Sequence, residues 1–161
     1  MALCAGSCRR DSSPRHSQAA AGQLYVTWET LEPDKLASIW LIKRFIDTEA
    51  RFSFVPKDTL ITNGIPFDTP DAEFRRYQAL SCFQSILQKH AITNAALLRI
   101  GEITHDIEIN YWGEKRFRES TEITAGMNAI IENAQTNPVI CVEKAGPVFD
   151  ALYETMRARQ P

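Results

Sequence analysis

An α+β domain, mainly helical with a small N-terminal β-sheet, is the fold class this sequence predicts, and three observations carry it. Two short β-branched and aromatic runs, residues 24–28 (LYVTW) and 51–55 (RFSFV), lie close together near the start. Between them, and through the whole second half, apolar residues recur at the three- and four-residue spacing of helices. No segment repeats another, and 161 residues with 44% hydrophobic content suit one core.

Each element follows in order. Residues 1–22 are rich in Ala, Ser and Arg without a hydrophobic period, so they read as a disordered tail, and residues 23–161 as the domain. The run 24–28, bounded by Gly22 and Glu29, is the first strand. Pro33 suits the first turn of a helix, with Asp34 at its positive end. That helix extends to about Ile46, and Leu36, Ile39, Trp40, Ile42, Phe45 and Ile46 cover so much of its circumference that it must be central. Residues 51–55 alternate as a second strand, and residues 64–68 (GIPFD) form a short extended piece that Pro66 confines to a sheet edge.

Helices fill the remainder. Residues 81–90 place Phe83, Ile86, Leu87 and His90 on one face. Thr93 and Asn94 mark the start of a second helix through Leu97, Ile100, Ile103 and Ile107. Ser120 or Thr121 can cap a third, through Ile123, Met127, Ile130 and Ile131, which stops before Asn137 and Pro138. The last runs from about Pro138 through Val148, Phe149, Leu152, Tyr153 and Met156, with a break left open at Gly146 and Pro147.

A net charge of −2 leaves no broad basic face to neutralise many phosphates, so nucleic-acid binding is not expected of this chain. No apolar run reaches the ~18 residues of a membrane span, and the first residues lack the pattern of a secretory signal. The expectation is a soluble cytoplasmic protein with no membrane partner; homo-oligomerisation stays open. Cys4, Cys8, Cys82 and Cys141 form no CxxC pair, which argues against a disulfide framework or zinc knuckle. Cys82 and Cys141 read as buried apolar groups, the competing reading being an exposed, low-pKa thiolate that meets an oxidant.

Chemistry-bearing residues concentrate in one stretch. Glu102, His105 and Asp106 stand at i, i+3 and i+4, so a helix face offers two carboxylates and an imidazole, and Glu-x-x-His is a ligand spacing of helical metal sites. The competing reading is a solvated helix face. The familiar nucleotide, hydrolase and zinc motifs are absent.

Residues 37–47 (ASIWLIKRFID) order charge and bulk in a way that an ordinary amphipathic helix does not need. Together with Trp28, Asp34 and Lys35, the run 65–68 (IPFD), His105 with Asp106, and the run 149–153 (FDALY), they carry a resemblance to the C-terminal domain of the ChrB chromate-resistance family, from about Leu24 to the end. The resemblance implies a bacterial stress-response setting and an accessory or sensor domain that responds to a small oxyanion such as chromate. It does not imply a full regulator, since the family's DNA-binding region is a separate N-terminal part. Where family members carry a His and a Glu, this chain has Arg76 and Gln84, which takes an imidazole and a carboxylate from any metal site.

Those changes favour an anion, and an oxyanion pocket built from Arg44, Arg76 and Lys35 is the candidate ligand site. For Arg44 the competing role is an ion pair with Asp47 or Asp68. The alternative functions are a metal-dependent enzyme, with a divalent transition metal on Glu102, His105 and Asp106, and a structural or oligomerising remnant. Neither a catalytic residue nor a certain cofactor follows from the sequence. If residues before about Gly22 carry no part of the fold, a chain that begins just ahead of Gly22 should melt at the same midpoint and with the same cooperativity as the full chain, which calorimetry would check.

Overall fold

The computed structural model describes residues 22–159. The tail expected through residue 22, with Cys4 and Cys8, therefore lies outside the described residues except for Gly22. Strand β1 (Leu24–Trp28) leads into helix α1 (Pro33–Leu41), whose chain continues as a π-helical turn (Ile42–Ile46) before strand β2 (Arg51–Val55) and the two-residue strand β3 (Ile65–Pro66). Helices α2 (Cys82–Lys89), α3 (Ala95–Glu108), α4 (Arg118–Asn133) and α5 (Pro138–Ala158) follow. The result is the expected α+β fold, mainly helical with a small N-terminal sheet.

The sheet order is β2-β1-β3, and both pairings are parallel. β1 is central, so Pro66 sits on an edge strand where its missing N–H costs no internal ladder bond. Because α1 connects parallel neighbours β1 and β2, its N-terminus lies at the carboxyl end of β1. In α1 every residue from Asp34 to Leu41 is buried, which makes it the central helix that the spread of its apolar residues predicts.

The switch from α1 to the π turn is not visible in the sequence, which reads as one uninterrupted helix. The Asp47 N–H donates to the Ile42 carbonyl at 2.8 Å, a five-residue step. The wider turn swings residues five apart towards a common side: the Trp40 and Phe45 rings meet edge-on at 5.3 Å between centroids, and Tyr153 lies 5.0 Å from Phe45. Asp47 then anchors the start of the domain. Its carboxylate, 2% exposed, accepts from the N–H groups of Gly22 (2.8 Å), Gln23 (2.9 Å) and Glu49 (3.1 Å).

The α2 start carries the reciprocal capping pair of Ser81 and Gln84, and the Asn94 side chain caps α3. α4 begins at Arg118, before the expected Ser120 or Thr121. Ser120 is instead buried inside the helix, its hydroxyl donating to the Ile103 carbonyl. α5 passes through Pro147 without ending. Its buried stripe Cys141, Ala145, Phe149, Leu152 and Met156 keeps helical spacing across the proline, so continuous burial outweighs the one lost i→i−4 bond.

Burial opposes ionisation of Asp47, but its three N–H donors outweigh that and hold the carboxyl below its ordinary value. Its stabilising contribution is therefore present above the ordinary aspartate range and is lost as pH falls through the lowered folded value. Asp47→Ala should cost about 2 kcal/mol at neutral pH, the scale of leaving buried N–H groups unsatisfied. Denaturant titration would check this, with the gap between variant and parent closing as pH falls below the ordinary aspartate range.

Candidate functional site

Three carboxylates converge where the parallel strands end. Asp34 is the second residue of α1 and is 4% exposed. Asp68 follows β3 by two residues, and Glu108 is the last residue of α3. Each offers an oxygen within 4.8 Å of the others. No short sequence motif holds them together. The sheet brings Asp68 beside the loop after β1, and the docking of α3 brings Glu108 to both.

Local geometry fixes each one. Asp68 has a left-handed backbone (φ 52°), uncommon outside glycine but better tolerated by Asp than by most residues, and its N–H donates to the Phe74 carbonyl at 2.6 Å. Glu108 accepts the Cys82 N–H at 2.8 Å, so its carboxylate sits on the N-terminus of α2. Lys35 is buried at 3% exposure, and its ammonium donates to the carbonyls of Trp28 (3.1 Å) and Thr30 (2.6 Å) and lies 3.4 Å from Asp68. Those three partners use all its donors. Arg76 approaches Glu108 at 3.9 Å from a side chain that is 60% exposed.

Above this floor opens a cavity of about 490 Å³, whose mouth includes Lys57, Arg75 and Arg76 as well as Glu32. Arg75 donates to the Ala72 carbonyl at 2.8 Å and stacks over Tyr77, which keeps its guanidinium near the rim. The electrostatics of the floor are unusual. Burial, then the neighbouring Asp68, Glu108 and Glu32, push the Asp34 carboxyl well above its ordinary value. Burial lifts Asp68 to about 6 against the pull of Lys35, and lifts Glu108 to about 7 against the Cys82 N–H.

The residues singled out from sequence fall into three places. Lys35 and Arg76 line this cavity; Arg44 does not. It lies on a separate cavity of about 340 Å³ between α1 and α5, 3.4 Å from Asp150 and half-exposed, so neither Asp47 nor Asp68 is its partner. Asp150 also accepts the Trp40 indole N–H at 2.9 Å, which fastens α5 to α1. A single pocket joining Arg44 to Arg76 and Lys35 is thus not what the chain builds.

Glu102, His105 and Asp106 likewise part company. Glu102 is exposed and bonds Arg99 at 2.6 Å, while the His105 Nδ1 faces the Gln84 amide oxygen at 2.9 Å. Asp106 turns inward at 1% exposure and accepts from the N–H groups of Arg116 (2.8 Å) and Phe117 (3.3 Å) and from Asn110 (3.0 Å). Among the described residues these three offer no common point for one ion. The core boundary of α3 runs between Glu102 and Asp106. Cys82 and Cys141 are free and buried, and burial raises both thiols, so neither is an exposed low-pKa thiolate.

Sequence reading placed Asp34 at a helix start and Asp68 in a matched run, and it passed over Glu108. The usable signal was that both aspartates fall in matched positions, Asp34 beside Lys35 and Asp68 at the end of the run 65–68.

A small parallel sheet that gathers acidic groups and a buried lysine at its carboxyl edge, packed against helices, defines an α+β domain with a crevice at its strand ends. The family is shown by comparison. The model for "ChrB, C-terminal domain" matches residues 25–156, and this chain belongs to that family, which makes it a chromate-resistance-related protein. It is 28% identical over 142 residues to Protein ChrB of Cupriavidus metallidurans; the match covers 82% of this chain and 40% of that relative. No solved structure matches. No helix among the described residues is long and apolar enough to cross a membrane.

Asp68 and Glu108 have folded values above their ordinary ones, so the folded state binds more protons than the unfolded state between about pH 4 and about pH 7. Stability should therefore decline as pH rises through that window. Asp34→Asn should be more stable than the parent at pH 8, because it removes a buried charge that lacks its own counter-ion. Urea titrations at pH 5 and pH 8 would check both signs.

Proposed function

We propose that this chain is the oxyanion-responsive part of a chromate-resistance system, an accessory or sensor domain that takes a tetrahedral dianion at the mouth of the cavity lined by Asp68 and Glu108. The observation that carries the reading is the convergence of Lys57, Arg75 and Arg76 on one opening of about 490 Å³. Guanidinium groups present paired N–H donors that match the oxygens of such an anion, and two of them near a rim can bind it without burying it fully. Lys35, whose donors are all engaged, holds the floor in place and does not reach the ligand.

The floor supplies a reason for responsiveness. With Glu108 ionised, Arg76 is drawn towards it. An anion competes for that guanidinium, and its arrival favours protonation of a carboxyl already near neutrality. Binding is then coupled to a change at the junction of α2 and α3, because Glu108 also holds the Cys82 N–H at the start of α2. The family membership supplies chromate as the anion to try first.

Titration calorimetry with chromate, sulfate and phosphate tests the reading. Arg75→Gln or Arg76→Gln should weaken chromate binding by about tenfold or more, the scale of one charge-assisted hydrogen bond. Arg44→Gln should leave it unchanged, and affinity should rise as pH falls from 8 to 6. No chromate binding, or equal binding in the Arg75 and Arg76 variants, would remove the proposal.

A further inference from the structure

We propose that the cavity is selective for oxyanions that carry a proton of their own, hydrogen phosphate and hydrogen chromate, over fully deprotonated ones such as sulfate and selenate, and that Glu108 is the specificity-determining residue. The inference rests on the oxyanion reading of this cavity and adds what sorts one tetrahedral anion from another.

The position of Arg76 carries the argument. Its Nη1 donates to the Glu108 carbonyl at 3.4 Å, and its Nε lies 3.9 Å from Glu108 Oε1. An anion that engages Arg76 therefore settles beside the Glu108 carboxylate. Glu108 is 7% exposed and lines the cavity. Its Oε2 accepts the Cys82 N–H at 2.8 Å, whereas Oε1 accepts no hydrogen bond among the described residues. An ionised carboxylate oxygen can only accept. An anion oxygen that also only accepts is repelled there, and one that bears a hydrogen completes the bond.

The surrounding groups divide into those that attract every oxyanion and those that choose. Lys57, Arg75 and Arg76 at the opening draw any of them in. Lys35 is spent on Asp68 and two backbone carbonyls, so it offers the ligand no donor. Asp68 and Glu32 line the same cavity and add acceptors, not donors. Asp34 lies within 4.8 Å of Asp68 and Glu108 but does not line the cavity, and the buried Cys82 thiol, pushed well up, stays protonated. Affinity thus comes from the cations and discrimination from the carboxylates. Burial lifts Glu108 to about 7, so at pH 8 it is mainly ionised and the discrimination is sharpest. At lower pH its own proton can serve an anion that has none.

Size and shape do not separate these ligands. At pH 8 inorganic phosphate is mainly a tetrahedral dianion with one O–H, while sulfate and selenate are tetrahedral dianions with none. Chromate gains its proton near neutrality, the window over which its affinity is expected to rise.

Titration calorimetry on the full chain at pH 8, with inorganic phosphate, sulfate, selenate and methyl phosphate, tests the selectivity. Phosphate should bind about tenfold or more tighter than sulfate or selenate. Methyl phosphate, a dianion without an O–H at this pH, should group with sulfate, which separates the free anion from a phosphoryl group. Glu108→Gln keeps an oxygen for the Cys82 N–H and brings an amide donor to the cavity, so it should gain sulfate and selenate binding and lose the preference for phosphate. Should that variant fail to fold, the parent still answers: its phosphate-to-sulfate affinity ratio should shrink as pH falls from 8 to 6. Equal binding of phosphate and sulfate at pH 8, uniform weakening of every anion in Glu108→Gln, or a ratio that ignores pH would overturn the inference and leave chromate binding as a separate question. Chromate that fails to bind while phosphate is preferred would sink the chromate reading alone, and no binding by any anion would sink both.

Discussion

Parallel pairing of β1 with both its neighbours is the constraint from which the rest of the arrangement follows. A parallel β1–α1–β2 unit must return the chain across the sheet, and that return sets the N-terminus of α1 at the carboxyl edge of β1. With β3 added in the same direction on the other side, Asp68 emerges at that same edge. The carbonyls of Trp28, at the end of β1, and of Thr30, in the loop after it, receive the Lys35 ammonium. One buried lysine thereby ties the end of β1, the first turn of α1 and the exit of β3 into a unit. The helices add their share by packing: α3 runs its C-terminal end into this edge and hands Glu108 to the first N–H of α2.

The acidic floor works against folding. Carboxylates withdrawn from water and set beside one another favour their neutral forms, which is why Asp34, Asp68 and Glu108 all move upward, whereas Asp47 and Asp106, each served by several donors, move down. The two groups of acids have opposite consequences. Asp47 and Asp106 fasten chain segments, the first holding the entry to β1 and the second the entry to α4. The floor acids satisfy little of the backbone. Groups kept at a cost to stability and gathered at a crevice are where ligand chemistry is expected to reside.

Much of this was legible in the sequence, and the failures have physical causes. Pro33, Asn94 and the proline in β3 are local signals, and each marks its element as local physics requires. α4 was expected from Ser120 because a hydroxyl is a good cap. α4 starts at Arg118 with no side-chain cap, and the segment that leads into it is held by Asp106, ten residues upstream of Arg116, a contact across a loop that leaves no local signature. The same holds for the π turn, which is fixed by Phe45 meeting Tyr153 more than a hundred residues away. Pro147 misleads in the opposite direction, since the buried stripe on α5 supplies what the proline removes.

The candidate site separates along the same line. Spacing on a helix suggested that Glu102, His105 and Asp106 act together, yet spacing does not say how the helix is seated, and α3 is seated with Asp106 under the α4 entry and Glu102 in solvent. Arg44 stood out because it lies in the most distinctive matched run, but that run is distinctive for packing: Trp40 and Arg44 both reach Asp150 and fix α5 on α1. Arg76, which departs from the family pattern, is instead the residue that reaches the floor. An arginine there brings a permanent positive charge next to Glu108, in addition to the Lys35 ammonium beside Asp68. The departure thus shifts the balance of the crevice from floor to rim. Asp34, alone of the three floor acids, makes no ion pair among the described residues, and burial beside the other two carboxyls keeps it towards its neutral form.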